Sequence, residues 1–126
     1  MVTQKMNSPL VSVVITTFNR AQYIVKAIDS ALAQTYKNLE IIVLDDCSHD
    51  NTPQILSEYS RKDNRIKIFR NETNLGVAKN LNKGVGLSQC KYIAILDSDD
   101  SWCDKDKIQK QVDFLLAWKF CVRSVF

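Results

Sequence analysis

The sequence predicts an α/β protein built on a Rossmann-like, mostly parallel sheet with helices on both of its faces. Short β-branched apolar runs alternate four times with stretches of helical periodicity, and this order indicates a parallel sheet. The runs are apolar almost throughout, as expected of strands that are buried on both faces. With 126 residues, of which 45% are hydrophobic and 25% charged, the chain has the size and balance of one ordinary globular domain.

The first half of the chain contains two strand–helix units. Val11–Thr17 is a β-branched run that predicts a buried strand, and residues 24–32 follow with apolar side chains at helical spacing. Residues 40–44 (EIIVL) predict a second buried strand. Thr52-Pro53 then predicts a helix start, with Thr52 as the N-cap and proline at the first helical position.

The second half repeats the pattern. Residues 66–69 (IKIF) predict a shorter, alternating strand near a sheet edge, and a turn at residues 74–76 leads into a helix. We place the end of that helix at Gly84 and Gly86, because glycine weakens helices. Residues 92–96 (YIAIL) predict a fourth buried strand, and residues 105–118 a last helix. The common strand order 3-2-1-4 is expected.

Charge and cysteine usage exclude several classes of protein. A net charge of +3 is too small to predict a nucleic-acid partner. No apolar run approaches the roughly 20 residues that span a bilayer, and the polar first nine residues lack the apolar region of a secretory signal. The cysteines are scattered, which argues against zinc and disulfide frameworks; they are Cys47, Cys90, Cys103 and Cys121. We expect a cytoplasmic protein with a tail at residues 1–9 and one domain at residues 10–126.

The predicted topology indicates where a ligand would bind. In open parallel sheets, ligands bind beyond the carboxyl ends of the strands where the winding direction reverses. With the order 3-2-1-4, the loops at residues 16–20 and 97–100 face each other there, and Asp45 and Asp46 lie one strand away. The loop after the first strand has no glycine, which excludes the G-x-G-x-x-G turn and the phosphate-binding P-loop.

Acidic residues at two strand ends are the candidate site residues. Asp97, Asp99 and Asp100 crowd the end of the fourth strand, and such hard oxygen ligands suit magnesium, manganese or calcium. The alternative is a solvated turn that caps the next helix, with Ser101 or Asp104 as the N-cap. Asp45 and Asp46 either form a turn or accept hydrogen bonds from a base or ribose. Asn74, Gly76 and Asn80 are further polar or turn residues near this site, and their simplest interpretation is a turn followed by an ordinary helix surface.

Five blocks of the sequence together resemble the GT-A-type glycosyltransferases of family 2, which act on nucleotide-activated sugars. The resemblance runs from about residue 10 to residue 116, in the order and spacing of the family. The blocks are residues 11–20 (VSVVITTFNR), 31–36 (ALAQTY), 40–52 (EIIVLDDCSHDNT), 74–84 (NLGVAKNLNKG) and 92–102 (YIAILDSDDSW).

The resemblance implies a nucleotide site built from three of these blocks. Thr16 and Phe18 match positions that line the base pocket. Asp46 matches the family aspartate that accepts a hydrogen bond from the base, with Asp45 beside it. The block at residues 74–84 borders the nucleotide, and its Lys79 is the basic residue that approaches phosphate.

The resemblance also implies a metal and a reaction. Asp97-Ser98-Asp99 matches the D-x-D motif, with Asp99 as a direct ligand of Mn²⁺ or Mg²⁺ and Asp97 as a partner of the ribose or of a metal-bound water; Asp100 joins this metal set. The implied reaction transfers a sugar, with inversion, from a UDP-sugar by family habit to a saccharide or lipid-linked acceptor. The implied setting is glycan or polysaccharide biosynthesis at the cytoplasmic face of a membrane.

Two departures from the family pattern limit these expectations. Cys47 stands where the family has glycine, which stiffens the turn after the paired aspartates. The family's acceptor-binding half and catalytic base come after the D-x-D segment, so no residue here is assigned as base. We expect a truncated GT-A-like domain that binds donor without efficient transfer. Residues 119–126 match the family only loosely and form either a fifth strand or an altered end.

Two other functions remain open at this point. A haloacid-dehalogenase-like phosphatase would use Asp97 as its nucleophile, since Asp97, Asp99 and Ser101 approach the D-x-D-x-[TV] motif. A non-catalytic interaction module would pair with another copy of the chain through an exposed sheet edge and an apolar tail that includes Trp118 and Phe120.

Overall fold

A parallel sheet of five strands forms the centre of the protein in the computed structural model, which describes residues 8–90 and 92–117 and the backbone of residues 124–125. The strands are β1 (Val11–Thr17), β2 (Leu39–Asp45), β3 (Ile66–Arg70), β4 (Tyr92–Ile95) and β5 (Ser124–Val125). The helices are α1 (Ala21–Leu32), α2 (Thr52–Lys62), α3 (Val77–Leu87) and α4 (Lys107–Ala117). The predicted α/β class is confirmed.

The strand order is β3-β2-β1-β4-β5, and every pair is parallel. This confirms the expected order 3-2-1-4 and the position of β3 at an edge. β1 is central: Val11 pairs with Leu39 of β2 and with Tyr92 of β4. The winding direction therefore reverses between β1 and β4, where the prediction put the ligand crevice.

Hydrophobic cores lie on both faces of the sheet, which explains why the strands read as continuous apolar runs. On one face α1, α2 and α4 bury side chains such as Ile28, Leu56 and Ile108 against alternate strand residues. On the other face α3 packs Leu81 and Val85 over a smaller buried cluster. That cluster consists of Val14, Ile42, Leu44 and Ile93.

Three helix ends differ from the sequence prediction. The N-cap of α2 is Asn51, so Thr52 is the first helical residue and Pro53 the second. The helix α3 continues through Gly84 and Gly86 to Leu87. Gly84 is buried in its interior, because a Cβ there would lie 2.6 Å from Cγ1 of Val14. It is thus a point of close helix–sheet approach and not a stop signal.

The last helix begins at Lys107, two residues later than predicted, and Asp104, one of the two predicted capping residues, binds its start. The Oδ1 atom of Asp104 accepts a hydrogen bond from the Asp106 amide, and Oδ2 pairs with Lys110 at 2.8 Å. Of the two predicted capping residues, Asp104 is therefore the one that contacts the first turn of α4.

The end of the chain is described only in part. Ser124–Val125 extends the sheet beside β4, as one of the two predicted alternatives for residues 119–126 has it. Trp118 and Phe120, on which the predicted contact between copies rests, lie outside the described residues. Within the described part of the chain, no helix has the length and apolarity needed to cross a membrane.

Candidate functional site

A cavity of about 510 Å³ opens at the carboxyl ends of the central strands. Its walls come from the end of β1 and the loop after it, from Asp46 and the start of α3, and from the turn after β4. The predicted loops therefore meet in one site. The lining residues are Thr16, Thr17, Phe18, Asn19, Arg20, Asp46, Val77, Asn80, Asp97, Ser98 and Asp99.

The loop after β1 is fastened to the loop after β2. The Asn19 amide donates to Oγ of Ser48 at 2.8 Å, and Oδ1 of Asn19 accepts from the His49 amide at 2.8 Å. Asn19 has a φ of 50°, a left-handed conformation that asparagine tolerates better than most residues. The rings of Phe18 and His49 meet edge to face, with centroids 6.5 Å apart. These contacts hold one wall of the cavity in a single arrangement.

Asp50 binds the first turns of two helices at once. Its Oδ2 accepts from the Ala21 amide of α1 at 3.2 Å, and its Oδ1 accepts from the Thr52 amide of α2 at 2.9 Å. Burial alone would raise the pKa of this carboxyl, but the hydrogen bonds from Thr52 and Ala21 outweigh it and hold the pKa below its usual value. The negative charge also lies at two helix N-termini, where the helix dipole favours it.

Asp46 is 4% exposed and accepts hydrogen bonds from the segment that leads into α3. Its Oδ1 accepts from the Leu75 amide at 2.8 Å and from Nδ2 of Asn71 at 2.9 Å, and its Oδ2 accepts from the Gly76 amide at 2.9 Å. Burial would raise its pKa, but these bonds and the charge of Lys83 lower it, so the group is an ionised acceptor. A carboxylate has about four acceptor positions, which leaves one on Oδ2.

Asn80, which the sequence offered either as part of the block that borders the nucleotide or as ordinary helix surface, lines the cavity. It is 1% exposed, so it is not the ordinary helix surface of the plain alternative. Its Oδ1 accepts from Nδ2 of Asn71 at 2.8 Å, and its Nδ2 donates to the Leu44 carbonyl at 3.2 Å. The sequence feature that points to this role is its position in the first turn of α3, four residues after the N-cap Gly76.

Asp45 is not brought to the cavity. It is 1% exposed, its Oδ1 accepts from the Ser48 amide and hydroxyl, and its Oδ2 lies 3.4 Å from Nε of Arg70. Asp45 and Asp46 have separate sets of partners, and of the two only Asp46 lines the cavity. Asp45 therefore stabilises the turn that carries Asp46.

The acidic turn after β4 contributes two carboxylates to the cavity. Asp97 and Asp99 line it, and both are exposed. Asp100 does not line it; its amide donates to the Asp97 carbonyl at 3.0 Å, and its own Oδ1 accepts from the Ser101 amide. The structure thus separates Asp100 from the two predicted ligands of the D-x-D sequence.

The carboxylate oxygens of Asp97 and Asp99 suit a divalent cation whose remaining ligands are supplied by a substrate or by water. Neither Asp97 nor Asp99 makes an ion pair with a described residue, so two like charges face the cavity without a cationic partner. Hard carboxylate oxygens suit Mg²⁺ or Mn²⁺. Among the described residues, however, no three acidic, histidine or cysteine side chains are grouped as a complete metal site.

The basic residue at the cavity is Arg20 rather than Lys79. Lys79 is exposed on α3 and does not line the cavity, whereas Arg20 does. Thr16 and Phe18 line it as expected, and Val77 and Ser98 are further lining residues that the prediction did not name as site residues. Val77 is 75% exposed at the start of α3, which puts an apolar side chain at the rim.

Comparison with known proteins gives a consistent result. Residues 12–124 match the model of the family described as glycosyl transferase family 2. The Escherichia coli protein WfaP, named as a UDP-Glc:α-D-GlcNAc-diphosphoundecaprenol β-1,3-glucosyltransferase, is 42% identical over 106 residues, which cover 84% of this chain and 41% of WfaP.

Two solved structures have the same fold. The S. aureus TarS fragment 1–349 in complex with UDP-GlcNAc superposes with a TM-score of 0.78 at 30% identity, covering 85% of this chain and 31% of TarS. The mannosyltransferase PcManGT from Pyrobaculum calidifontis, solved with GDP-Man and Mn²⁺, has a TM-score of 0.79 at 26% identity, covering 85% and 32%.

The shared region is one part of each of these proteins. Besides the 41% of WfaP, the chain spans 42% of a curated relative from Bacillus subtilis and 32% of one from Haemophilus influenzae. The similarity therefore concerns the part of the relatives that carries the sheet and the cavity described above.

Proposed function

The chain belongs to glycosyltransferase family 2, and from this premise we propose that its cavity binds a nucleotide-diphosphate sugar for transfer to an acceptor hydroxyl. One observation carries the proposal: the loop after β1 and the acids after β4 face each other across one cavity, with Asp46 beside them. This is where a doubly wound sheet binds nucleotides.

The base and ribose side of the site is formed by residues 16–20, the end of β1 and the loop that is bonded to the loop after β2. Phe18 offers an aromatic ring and Thr16 a hydroxyl at the end of β1. The one acceptor position left on Oδ2 of Asp46 suits an N–H of a base. TarS, with 30% identity to this chain, was solved with UDP-GlcNAc, which supports a UDP-sugar as the donor.

The diphosphate side is formed by the acidic turn and Arg20. Asp99, with Asp97 beside it, would hold Mn²⁺ or Mg²⁺, and the Mn²⁺ in the PcManGT structure supports this assignment. When bound, such an ion neutralises the charge that develops on a departing diphosphate. Arg20 adds a fixed positive charge at the same cavity, and its planar guanidinium can contact two phosphate oxygens.

The family resemblance supports our proposals for the acceptor, the stereochemistry and the cellular setting. We propose single displacement with inversion, an acceptor that is a saccharide or a lipid-linked saccharide, and a role in glycan or polysaccharide biosynthesis at the cytoplasmic face of a membrane. The name of WfaP, with its diphosphoundecaprenol acceptor, supports the lipid-linked choice. A carboxylate base that activates the acceptor hydroxyl is expected from outside the residues assigned here.

A thermal-shift panel tests the donor proposal. UDP-, GDP-, dTDP- and CDP-sugars are added with and without Mn²⁺, and a UDP-sugar is expected to raise the melting temperature most, in a Mn²⁺-dependent way. A ligand at a hundred times its dissociation constant stabilises the fold by about 2.7 kcal/mol. A panel in which no nucleotide sugar changes the melting temperature would overturn the proposal.

Substitution of Asp99 separates the metal-dependent part of that response. Asp99→Asn keeps the size of the side chain but removes the charge that a divalent cation needs, so the Mn²⁺-dependent shift is expected to disappear. Asp113→Asn, at an exposed position of α4, is the charge-matched control and should keep the full shift. An Asp99→Asn protein with an unchanged Mn²⁺ effect contradicts the assignment.

A further inference from the structure

A chain of hydrogen bonds runs from a surface lysine, behind the cavity wall, to Asp46. Nζ of Lys83, on the exposed side of α3, donates to Oδ1 of Asn71 at 2.7 Å. Asn71 is 4% exposed, and its Nδ2 donates both to Oδ1 of Asp46 and to Oδ1 of Asn80. Asn80 continues the chain with the same direction of donation, because its Nδ2 donates to the Leu44 carbonyl.

Lys83 at one end of this hydrogen-bond chain and two acceptors at the other favour the same direction of donation. An ammonium group can only donate, and the Asp46 carboxylate and the Leu44 carbonyl can only accept. If the Asn71 amide turned over, its NH₂ would face the ammonium of Lys83 and its oxygen would face the Asp46 carboxylate. Both contacts would be repulsive. The charge of Lys83 therefore acts together with the Asp46 carboxylate to hold the amide of Asn71 in one orientation, and Asn71 in turn contacts Asp46 and Asn80.

We infer that Lys83, although it does not line the cavity, is a positioning residue that sets the base selectivity of the nucleotide site through Asn71 and Asp46. This inference rests on the proposed function and goes beyond it. Asp46 reaches the Leu75 and Gly76 amides at 2.8 and 2.9 Å, so the same bonds that orient the carboxylate also hold the turn into α3.

The selectivity follows from the hydrogen-bonding character of Asp46. An ionised carboxylate with one open acceptor position that faces ring position 3 of a pyrimidine requires an N–H at that position, since the other Watson–Crick donor of cytosine is the exocyclic N4 amino group. Uracil presents N3–H there, whereas N3 of cytosine is itself an acceptor and would face the carboxylate unpaired. An unpaired buried polar group is expensive, so UDP is expected to bind better than CDP.

Two variants of Lys83 and one control test the inference. Lys83→Met keeps the aliphatic stem and removes the charge, and Lys83→Arg restores a donor-only cation. Lys26→Met removes an exposed lysine from α1, a helix on the opposite face of the sheet. For each protein, the dissociation constants of UDP and CDP are measured by calorimetry, and amide hydrogen exchange at Leu75 and Gly76 is measured by NMR.

The wild-type chain is expected to prefer UDP over CDP by at least about tenfold. Lys83→Met should reduce that preference by about threefold or more and speed exchange at Leu75 and Gly76, while Lys83→Arg stays within about twofold of wild type. Lys26→Met should change neither quantity. A merely structural role for Lys83 would weaken UDP and CDP binding equally.

The two proposals can fail separately. If the wild-type chain binds neither nucleotide, the proposed function fails, and the exchange rates at Leu75 and Gly76 still report whether Lys83 positions the Asp46 turn. If UDP binds and Lys83→Met keeps both the UDP preference and the slow exchange, the inference about Lys83 is overturned and the proposed function stands.

Discussion

At the scale of single residues, the paired aspartates show how one turn divides two tasks. Asp45 is turned inward to Ser48 and Arg70, and Asp46 is turned toward the cavity and the start of α3. The residue that follows them, Cys47, has a φ of 68° and bears a weak hydrogen bond from its Sγ to the Glu72 carbonyl at 3.4 Å. The departure from glycine noted in the sequence thus falls at a left-handed position.

Replacing Cys47 tests the strain at this position. A left-handed conformation costs a residue with a Cβ about 1–2 kcal/mol, and glycine has no such cost but loses about 0.4–1 kcal/mol through its freer unfolded chain. Cys47→Gly should therefore raise the free energy of unfolding by about 0.5 kcal/mol. Cys47→Val, which adds a β-branch at positive φ, should lower it by about 1–2 kcal/mol.

Urea unfolding of the three proteins gives the comparison. Equal midpoints for the valine and glycine variants would show that the turn does not hold the left-handed conformation. Because Cys47 does not line the cavity, UDP affinity serves as the check that the turn beside Asp46 keeps its shape.

At the scale of secondary-structure elements, α3 is the element whose position matters most for the site. It carries Asn80 and Val77 into the cavity wall. Among the described helices, it is also the one that covers the smaller buried cluster around Val14 and Leu44. Its close approach depends on Gly84, where a Cβ would also lie 2.7 Å from Cδ1 of Leu44. A glycine that looked like a helix end in the sequence is instead the contact point between helix and sheet.

The two glycines of α3 should respond in opposite ways to alanine. Gly86 has no neighbour within 4 Å of a Cβ, so Gly86→Ala should stabilise the protein by about 0.5–1 kcal/mol through helix propensity. Gly84→Ala gains the same propensity but must push Val14 and Leu44 aside, and overpacking costs about 1–3 kcal/mol. Gly84→Ala is therefore expected to be destabilising overall.

Chemical denaturation of the two alanine variants measures this difference. Stabilisation by both substitutions would mean that α3 does not touch the sheet at Gly84. Since α3 carries Asn80, weaker nucleotide binding by Gly84→Ala but not by Gly86→Ala is a second expected difference.

The elements that the sequence predicted are those whose signal is local. The strands were found from β-branched runs because both faces of the sheet are covered, and the strand order followed from a general preference of doubly wound sheets. The start of α2 lies one residue earlier than predicted, and its first amide is bound by Asp50, which through its other oxygen also binds α1, 29 residues earlier in the sequence. A cap shared between two helices is a tertiary contact, and no spacing rule includes it.

The same distinction separates the predicted part of the site from the part that was missed. Loops at the carboxyl ends of β1 and β4 could be paired from topology alone, so the acidic turn and residues 16–20 were placed together correctly. Asn71 was missed, and the buried role of Asn80 was not specified, because both come from hydrogen bonds that span the sheet and α3. Lys79 was favoured over Arg20 because sequence position alone does not say which side of a helix meets the cavity.

At the scale of the whole molecule, carboxylates with lowered pKa values link stability to pH. Glu40 is 6% exposed on β2, and burial alone would raise its pKa. The hydrogen bonds from Ser12, Lys67 and Cys90 outweigh burial and lower it. The pKa values of Asp46, Asp50 and Asp63 are lowered as well.

These shifts predict an acid-sensitive fold. A group whose pKa is lower in the folded state stabilises the protein above the unfolded value, about 4, and the contribution is lost as the pH falls through the folded value. Melting temperature should therefore be level with respect to these groups between about pH 5 and 7 and fall below about pH 4. Glu40→Gln should lower the melting temperature at neutral pH and make its fall in acid shallower, because the lost carboxylate no longer contributes.

Melting temperatures across this pH range test the linkage. Glu58→Gln removes a carboxylate from an exposed position of α2 and controls for the loss of one negative charge. An acid transition of the same depth in Glu40→Gln and in the wild type would contradict a role for the buried carboxylate.

The cavity has walls of unequal stiffness, and this has a consequence for how a substrate would enter and leave. The wall at residues 16–20 is bonded to the loop after β2 through Asn19, Ser48 and His49, whereas Asp97 and Asp99 make no side-chain hydrogen bond to another described element. Motion on the microsecond to millisecond scale should therefore be concentrated in the acidic turn. A nucleotide would dock on a preformed surface and be enclosed, or released, by rearrangement of the opposite side alone.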